Sequence, residues 1–133
     1  MNCILQNDVS EVPKLEAFVR TACADSQMDE MTAKNVGLAV EEAVVNVMRY
    51  AYPEGTKGEI RIKTLACDGK LTFEICDDGN PFDPTKAEGP DITLSAKQRP
   101  IGGLGIFLIR QYMDTMNYKR VDGCNILFLT KNL

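Results

Sequence analysis

Three clusters in this chain combine residue types and spacings that could do chemistry: Glu42 with Asn46, Asp77-Asp78-Gly79, and Gly102-Gly103-Leu104-Gly105. Four residues apart on a helix, Glu42 and Asn46 project from one face a single turn apart. A glutamate there could take a proton from an attacking hydroxyl, and an asparagine oxygen is a hard ligand suited to magnesium, which relies on substrate phosphates for further ligands. Asp77, at the end of an apolar segment, could accept a hydrogen bond from an exocyclic amine. Glycines opening a helix leave backbone N–H groups and the positive end of the helix dipole free for phosphate. Each cluster also has a plainer reading: a solvated helix face, a turn, and a flexible helix entry. The glycine run does not match G-x-x-x-x-G-K-[ST] and does not sit in a strand-helix-strand unit, which disfavours both common nucleotide loops. Arg20 and Arg49 could meet phosphate or a protein partner, though exposed arginines usually do neither.

The elements that must position these residues follow from periodicity. Cys3 to Asn7 reads as a short strand, and Ser10 as the cap of a first helix through Glu16, Ala17, Val19 and Arg20. From Asp29, an N-cap type, Val36, Val40, Val44, Val47 and Met48 recur at helical spacing to Ala51, where Tyr52-Pro53-Glu54-Gly55 ends the helix. Glu42 and Asn46 then lie on the stripe opposite the apolar one. Glu59 to Leu65 and Lys70 to Cys76 alternate polar with apolar around Asp68-Gly69, a hairpin signature repeated at Asp122-Gly123 between Asn117–Val121 and Asn125–Thr130. Residues 79–101 carry Pro81, Pro84, Pro90 and Pro100, too long and irregular for a simple connection. Helical spacing resumes from Gly105 to Met116. Hairpins grouped with helices, without strict strand-helix alternation, predict an α+β domain: a mixed, mostly antiparallel sheet with its helices on one face and the other face solvated.

Composition narrows the partners. The chain has 133 residues, enough for one domain, with 44% apolar content and a net charge of −4 without a basic run, so nucleic acid is not an expected partner. Histidine is absent, so proton transfer would fall to carboxylates. The five cysteines are odd in number, contain no C-x-x-C pair and sit mostly in apolar stretches, which suits reduced core thiols rather than zinc or disulfides. No basic-then-apolar leader or membrane-length apolar run is apparent, and the cytoplasm is the expected compartment.

Taken in order, Glu42-Ala43-Val44-Val45-Asn46, Asp77-Asp78-Gly79 and Gly103-Leu104-Gly105 resemble the asparagine box and the two glycine boxes of the GHKL ATPases. Within that superfamily the small size, paired glutamates, N-terminal strand and helix, and the run from Asn46 to Tyr52-Pro53 resemble the bacterial anti-sigma-factor serine/threonine kinases. The likeness covers nearly the whole chain. It implies a Bergerat-type two-layer sandwich, ATP with Mg2+, and phosphorylation of a serine or threonine on an anti-sigma-factor antagonist of STAS type, which alternates with a sigma factor; a homodimer is also implied. On that resemblance Glu42 is the general base, Asn46 the magnesium ligand, and Asp77 the acceptor of the adenine amine. Gly79 admits the base; Gly103, Leu104 and Gly105, with Arg49, contribute to nucleotide binding beneath a lid of about residues 82–101. Pro81 stands where the first glycine box usually has a second glycine, and Tyr50 where many relatives carry histidine. A nucleotide-gated protein-binding switch of the same fold without kinase activity is the alternative.

Overall fold

The helix that carries Glu42 and Asn46 is built by its own sequence. Asp29 accepts a hydrogen bond from the Thr32 N–H through its side chain, capping a helix over Glu30–Tyr50. The computed structural model describes residues 1–86 and 103–133. The expected lid from residue 87 onward, with Pro90, Pro100 and Gly102, lies outside the described residues. In chain order the elements are β1 (Asn2–Gln6), α1 (Val12–Asp25), α2 (Glu30–Tyr50), β2 (Glu59–Cys67), β3 (Lys70–Asp77), α3 (Gly103–Tyr112), β4 (Thr115–Val121) and β5 (Cys124–Asn132), with short 3-10 turns at Val9–Glu11 and Pro84–Lys86.

The strands form one five-stranded sheet in the order β1-β2-β3-β5-β4. All four pairings are antiparallel, where the sequence allowed a mixed sheet. Both Asp-Gly turns place their two residues at positive φ (Asp68 52°, Gly69 73°; Asp122 51°, Gly123 79°), the conformation that matches the right-handed twist of the strands they join. Alternation sorts the faces. Ile60, Ile62, Leu71, Phe73, Ile75, Leu127 and Leu129 point inward and bury against Leu15 and Val19 of α1, Val36, Val40 and Val44 of α2, and Ile106 and Ile109 of α3. The outward face carries Glu59, Arg61, Lys63, Thr72, Glu74 and Thr130. This is the expected two-layer sandwich.

Three local expectations are corrected. Ser10 does not cap α1: Asp8 accepts the Ser10 N–H and caps the 3-10 turn, and α1 begins two residues after Ser10, with Pro13 in its first turn. Proline is tolerated there because that N–H has no helical partner in any case. The third helix ends at Tyr112 rather than Met116, because β4 claims residues from Thr115 and Met116 pairs across to Leu129. Of the five cysteines only Cys3 and Cys23 are buried; Cys67 is exposed, and Cys76 and Cys124 are half-buried on the outer sheet face.

Candidate functional site

Asn46 is buried, 5% exposed, and its Nδ2 has no hydrogen-bond partner among the described residues. It therefore does not lie on a solvated stripe, as helical periodicity suggested. It sits with Ala43 and Val47 against the sheet, because α2 is covered on that side by β3, β5 and the entry to α3. A buried amide left unpaired costs about 1–3 kcal/mol, so its presence among apolar neighbours calls for a partner that arrives from outside. Glu42 lies one turn earlier and is half-buried.

Gly105, in the first turn of α3, closes against both. A Cβ at that position would stand 2.7 Å from Glu42 Oε2 and 3.4 Å from Asn46 Nδ2. Glycine here lets the helix start approach without displacing the Glu42 carboxylate. The backbone of Gly103 and Leu104 forms the preceding part of the same turn. The second glycine cluster is thus brought to the Glu42–Asn46 pair.

Asp77 ends β3 and is 3% exposed. Its Oδ1 accepts the Gly79 N–H and the Asn125 side-chain amide, each at 2.9 Å. Burial pushes the Asp77 carboxyl up, and this wins over the Asn125 and Gly79 hydrogen bonds and the nearby Arg120 guanidinium, which pull it down. The turn that follows is seated on the end of α2. The Asn80 N–H donates to the Ala51 carbonyl at 2.6 Å, and a Cβ on Gly79 would come within 2.4 Å of that same oxygen. Gly79 is required by close approach and not by backbone conformation. The Tyr52 hydroxyl lies 2.8 Å from Asp78 Oδ1 and 3.0 Å from the Glu59 carbonyl, and accepts the Asp78 N–H at 3.2 Å. Burial first, and then the Asp78 carboxylate, hold this phenol well above its ordinary range.

Asn125 is the member of the site that sequence reasoning missed. Its Nδ2 donates to Asp77 Oδ1 and to the Asn80 carbonyl (2.8 Å), while its Oδ1 accepts the Phe82 N–H (3.2 Å) and the Tyr118 hydroxyl. The signal was present: Asn125 falls on the inward register with Leu127 and Leu129, a polar residue in an apolar alternation. From the sequence, Asn125 stands only as the first residue of the last strand, with no role.

Asn46, Asp77 and Asn125 line one cavity with Ile75, Phe82 and Tyr118, closed down to about 10 Å³, room for roughly one water. Phe82, tilted against Tyr50 at 5.8 Å between ring centroids, forms part of its wall. A flat heterocycle enters only if that wall moves. Arg49 is not part of this grouping. It is exposed in the last turn of α2 and borders a separate open basin of about 690 Å³ with Met48, Tyr52 and the 53–57 loop. Arg20 borders another, between α1 and α2. Larger volume here does not coincide with chemistry.

Among the described residues no three His, Cys, Asp or Glu side chains converge as a metal cage. The donor set near Glu42 and Asn46 fits magnesium in its usual protein setting, one or two side-chain oxygens with substrate phosphates completing the shell. The buried Asn46 amide is the observation behind that fit; only its oxygen can ligate magnesium, and the oxygen and nitrogen ends of the amide are assigned from the partners present.

A model of the histidine kinase-like ATPase domain matches residues 5–131. The serine/threonine-protein kinase BtrW of Bordetella bronchiseptica is 32% identical over 95 residues, 71% of this chain and 67% of that protein. The serine-protein kinase RsbW of Listeria monocytogenes is 34% identical over 98 residues, covering 71% and 62%. The anti-sigma F factor of Clostridium botulinum is 31% identical over 105 residues, covering 74% and 72%. The match to RsbW thus spans less than two thirds of that relative's length. Two solved structures share the fold: the histidine kinase domain of a blue-light-activated histidine kinase from Erythrobacter litoralis (TM-score 0.58, 17% identity, 92% of this chain and 60% of that one) and the SiaB–SiaC complex from Pseudomonas aeruginosa (TM-score 0.55, 16%, 98% and 89%).

Proposed function

The chain belongs to the histidine kinase-like ATPase family, and from that premise we propose that it is an ATP-binding anti-sigma regulatory factor that phosphorylates a serine or threonine of an anti-sigma-factor antagonist. The names of its relatives support the class: a serine/threonine-protein kinase, a serine-protein kinase and an anti-sigma factor. The observation that carries the reading is the buried, unpartnered Asn46 amide beside Glu42, with a glycine helix entry pressed against both.

In this reading Asp77 accepts the exocyclic amine of adenine through the carboxylate oxygen not engaged by Asn125 and Gly79. Gly79 keeps the turn flush with α2, so the base can approach the backbone. Asn46 holds Mg2+ and the α3 entry at Gly103, Leu104 and Gly105 receives phosphate. Bound magnesium would neutralise charge on the transferring phosphoryl group. Glu42 takes the proton of the attacking hydroxyl as the O–P bond to the acceptor forms and the bond from the γ-phosphorus to the β,γ-bridging oxygen breaks, releasing ADP. Arg49, one turn after Asn46 but bordering a separate basin, would reach the nucleotide only from the rim of the site. A sigma factor as the competing partner, and a homodimeric assembly, complete the proposal. No described helix is long and apolar enough to cross a membrane.

Calorimetric titration of ATP with and without Mg2+ is the test. Wild type should bind ATP in a metal-dependent way and Asn46→Ala should lose that dependence; metal-independent or absent binding in wild type overturns the proposal. For the transfer step, Glu42→Gln should retain ATP binding and lose labelling of the antagonist serine by at least about 100-fold, the scale of positioned acid–base catalysis. Unchanged labelling would remove Glu42 as the base.

A further inference from the structure

Cys76 and Cys124 lie on the outer sheet face, opposite the core, and the proposed phosphotransfer uses neither. Cys76 pairs across to Ile126 on β5, and Cys124 stands two residues before that partner, so the two thiols are diagonal neighbours on one face. They border one open basin of about 440 Å³ together with Arg61, Lys57, Glu59 and Asp78. Burial first, and then the adjacent Cys124, push the Cys76 thiol up, which makes Cys76 the resolving rather than the attacking sulfur. Both cysteines are half-buried rather than sealed, which leaves them open to a small oxidant.

We infer that Cys76 and Cys124 form a redox-active dithiol that takes a peroxide as oxidant and closes to an intrachain disulfide behind the base pocket. One sulfur attacks the peroxide O–O bond, an S–O bond forms, and water leaves with a thiol proton. The second sulfur then attacks the resulting sulfenic sulfur: the S–S bond forms, the S–O bond breaks, and the oxygen leaves as a second water. Two thiols and one hydrogen peroxide thus give one disulfide and two waters. Diagonal Cα atoms on neighbouring strands sit about 7–8 Å apart, just beyond the usual disulfide span of up to about 7 Å, so closure draws the strands slightly together. Cys124 is the first residue of β5, directly after the Asp122-Gly123 turn and paired with Val121, so the closure is made at the turn end of that hairpin. The crosslink has a defined place. Each cysteine immediately precedes a member of the Asp77–Asn125 pair, so oxidation ties together the two backbones that hold this hydrogen bond.

The full chain, reduced and then treated with hydrogen peroxide, should yield on non-reducing peptide mapping a Cys76–Cys124 linked peptide that dithiothreitol releases. The link should disappear in Cys124→Ser and persist in Cys67→Ser, whose cysteine lies exposed at the far end of β2. Wild type alone decides the matter if the serine variant fails to fold. Oxidation of either thiol to sulfinic acid without an intrachain link, or links only between chains, overturns the inference. Nucleotide takes no part, so the outcome stands apart from the proposed kinase activity.

Discussion

Asn46 and Asp77 are polar side chains held in positions that the apolar core would otherwise fill, and both cost the unliganded fold something. For Asn46 the cost is an unmade hydrogen bond. Asn46→Ala, which removes the unpaired amide without overpacking, should therefore cost little or no melting temperature while abolishing magnesium-dependent ATP binding; a loss of several degrees would show that the amide is satisfied in the free protein. For Asp77 the cost is a buried charge. Its folded pKa is raised above the unfolded value, so protonation favours the folded state: the stabilisation is complete below the ordinary aspartate range and is lost as pH rises through the raised value. Asp77→Asn should thus match or exceed wild type in melting temperature near neutral pH, with the difference closing as pH falls toward the unfolded aspartate value. A difference that widens on acidification would contradict the sign. Adenine recognition should be lost in the same variant at any pH.

Between elements, two glycines set how closely the parts of the site can meet, and they differ in what they meet. At Gly79 an added Cβ would strike the Ala51 carbonyl, a backbone atom that cannot move without shifting the end of α2. Gly79→Ala should cost about 1–3 kcal/mol of stability, measured by denaturant unfolding, as overpacking does in a closed contact. At Gly105 the obstacle is the tip of the Glu42 side chain, which can swing aside. Gly105→Ala should leave the melting temperature nearly unchanged yet slow phosphotransfer by about 10- to 100-fold, because a misplaced base costs rate far more than stability. Equal losses of stability in the two variants would argue against this distinction. The helix α2 and both Asp-Gly hairpins were legible in the sequence because their signals act within a turn or two: Asp29 at the cap, valines at helical spacing, positive-φ turn residues. The ends of α1 and α3 were not. Asp8 outcompetes Ser10 as a cap, and pairing with β5 takes Thr115 and Met116 into a strand despite helical spacing.

At the scale of the whole molecule, Asn125 gathers β3, β4, β5 and the segment after β3 into one polar knot inside the core. It bonds Asp77, Asn80, Phe82 and Tyr118 together. Asn125→Ala should cost about 2–4 kcal/mol in chemical denaturation, combining lost bonds with the unpaired groups left behind, and should also weaken ATP binding; a change under about 0.5 kcal/mol would mean that water replaces the amide freely. By itself the sequence determined the local pieces: a capped helix presenting Glu42 and Asn46 one turn apart, an aspartate at a strand end, a glycine entry to a later helix, and the α+β grouping of their carriers. These depend on propensities and periodicities whose reach is a few residues. Only the tertiary structure decided that Asn46 is buried, that Arg49 opens onto another basin, and that Asp77 meets Asn125 from 48 residues away. Those outcomes depend on which strands pair and how closely helix and sheet approach, and that choice is fixed by burial summed over the whole core rather than by any one segment.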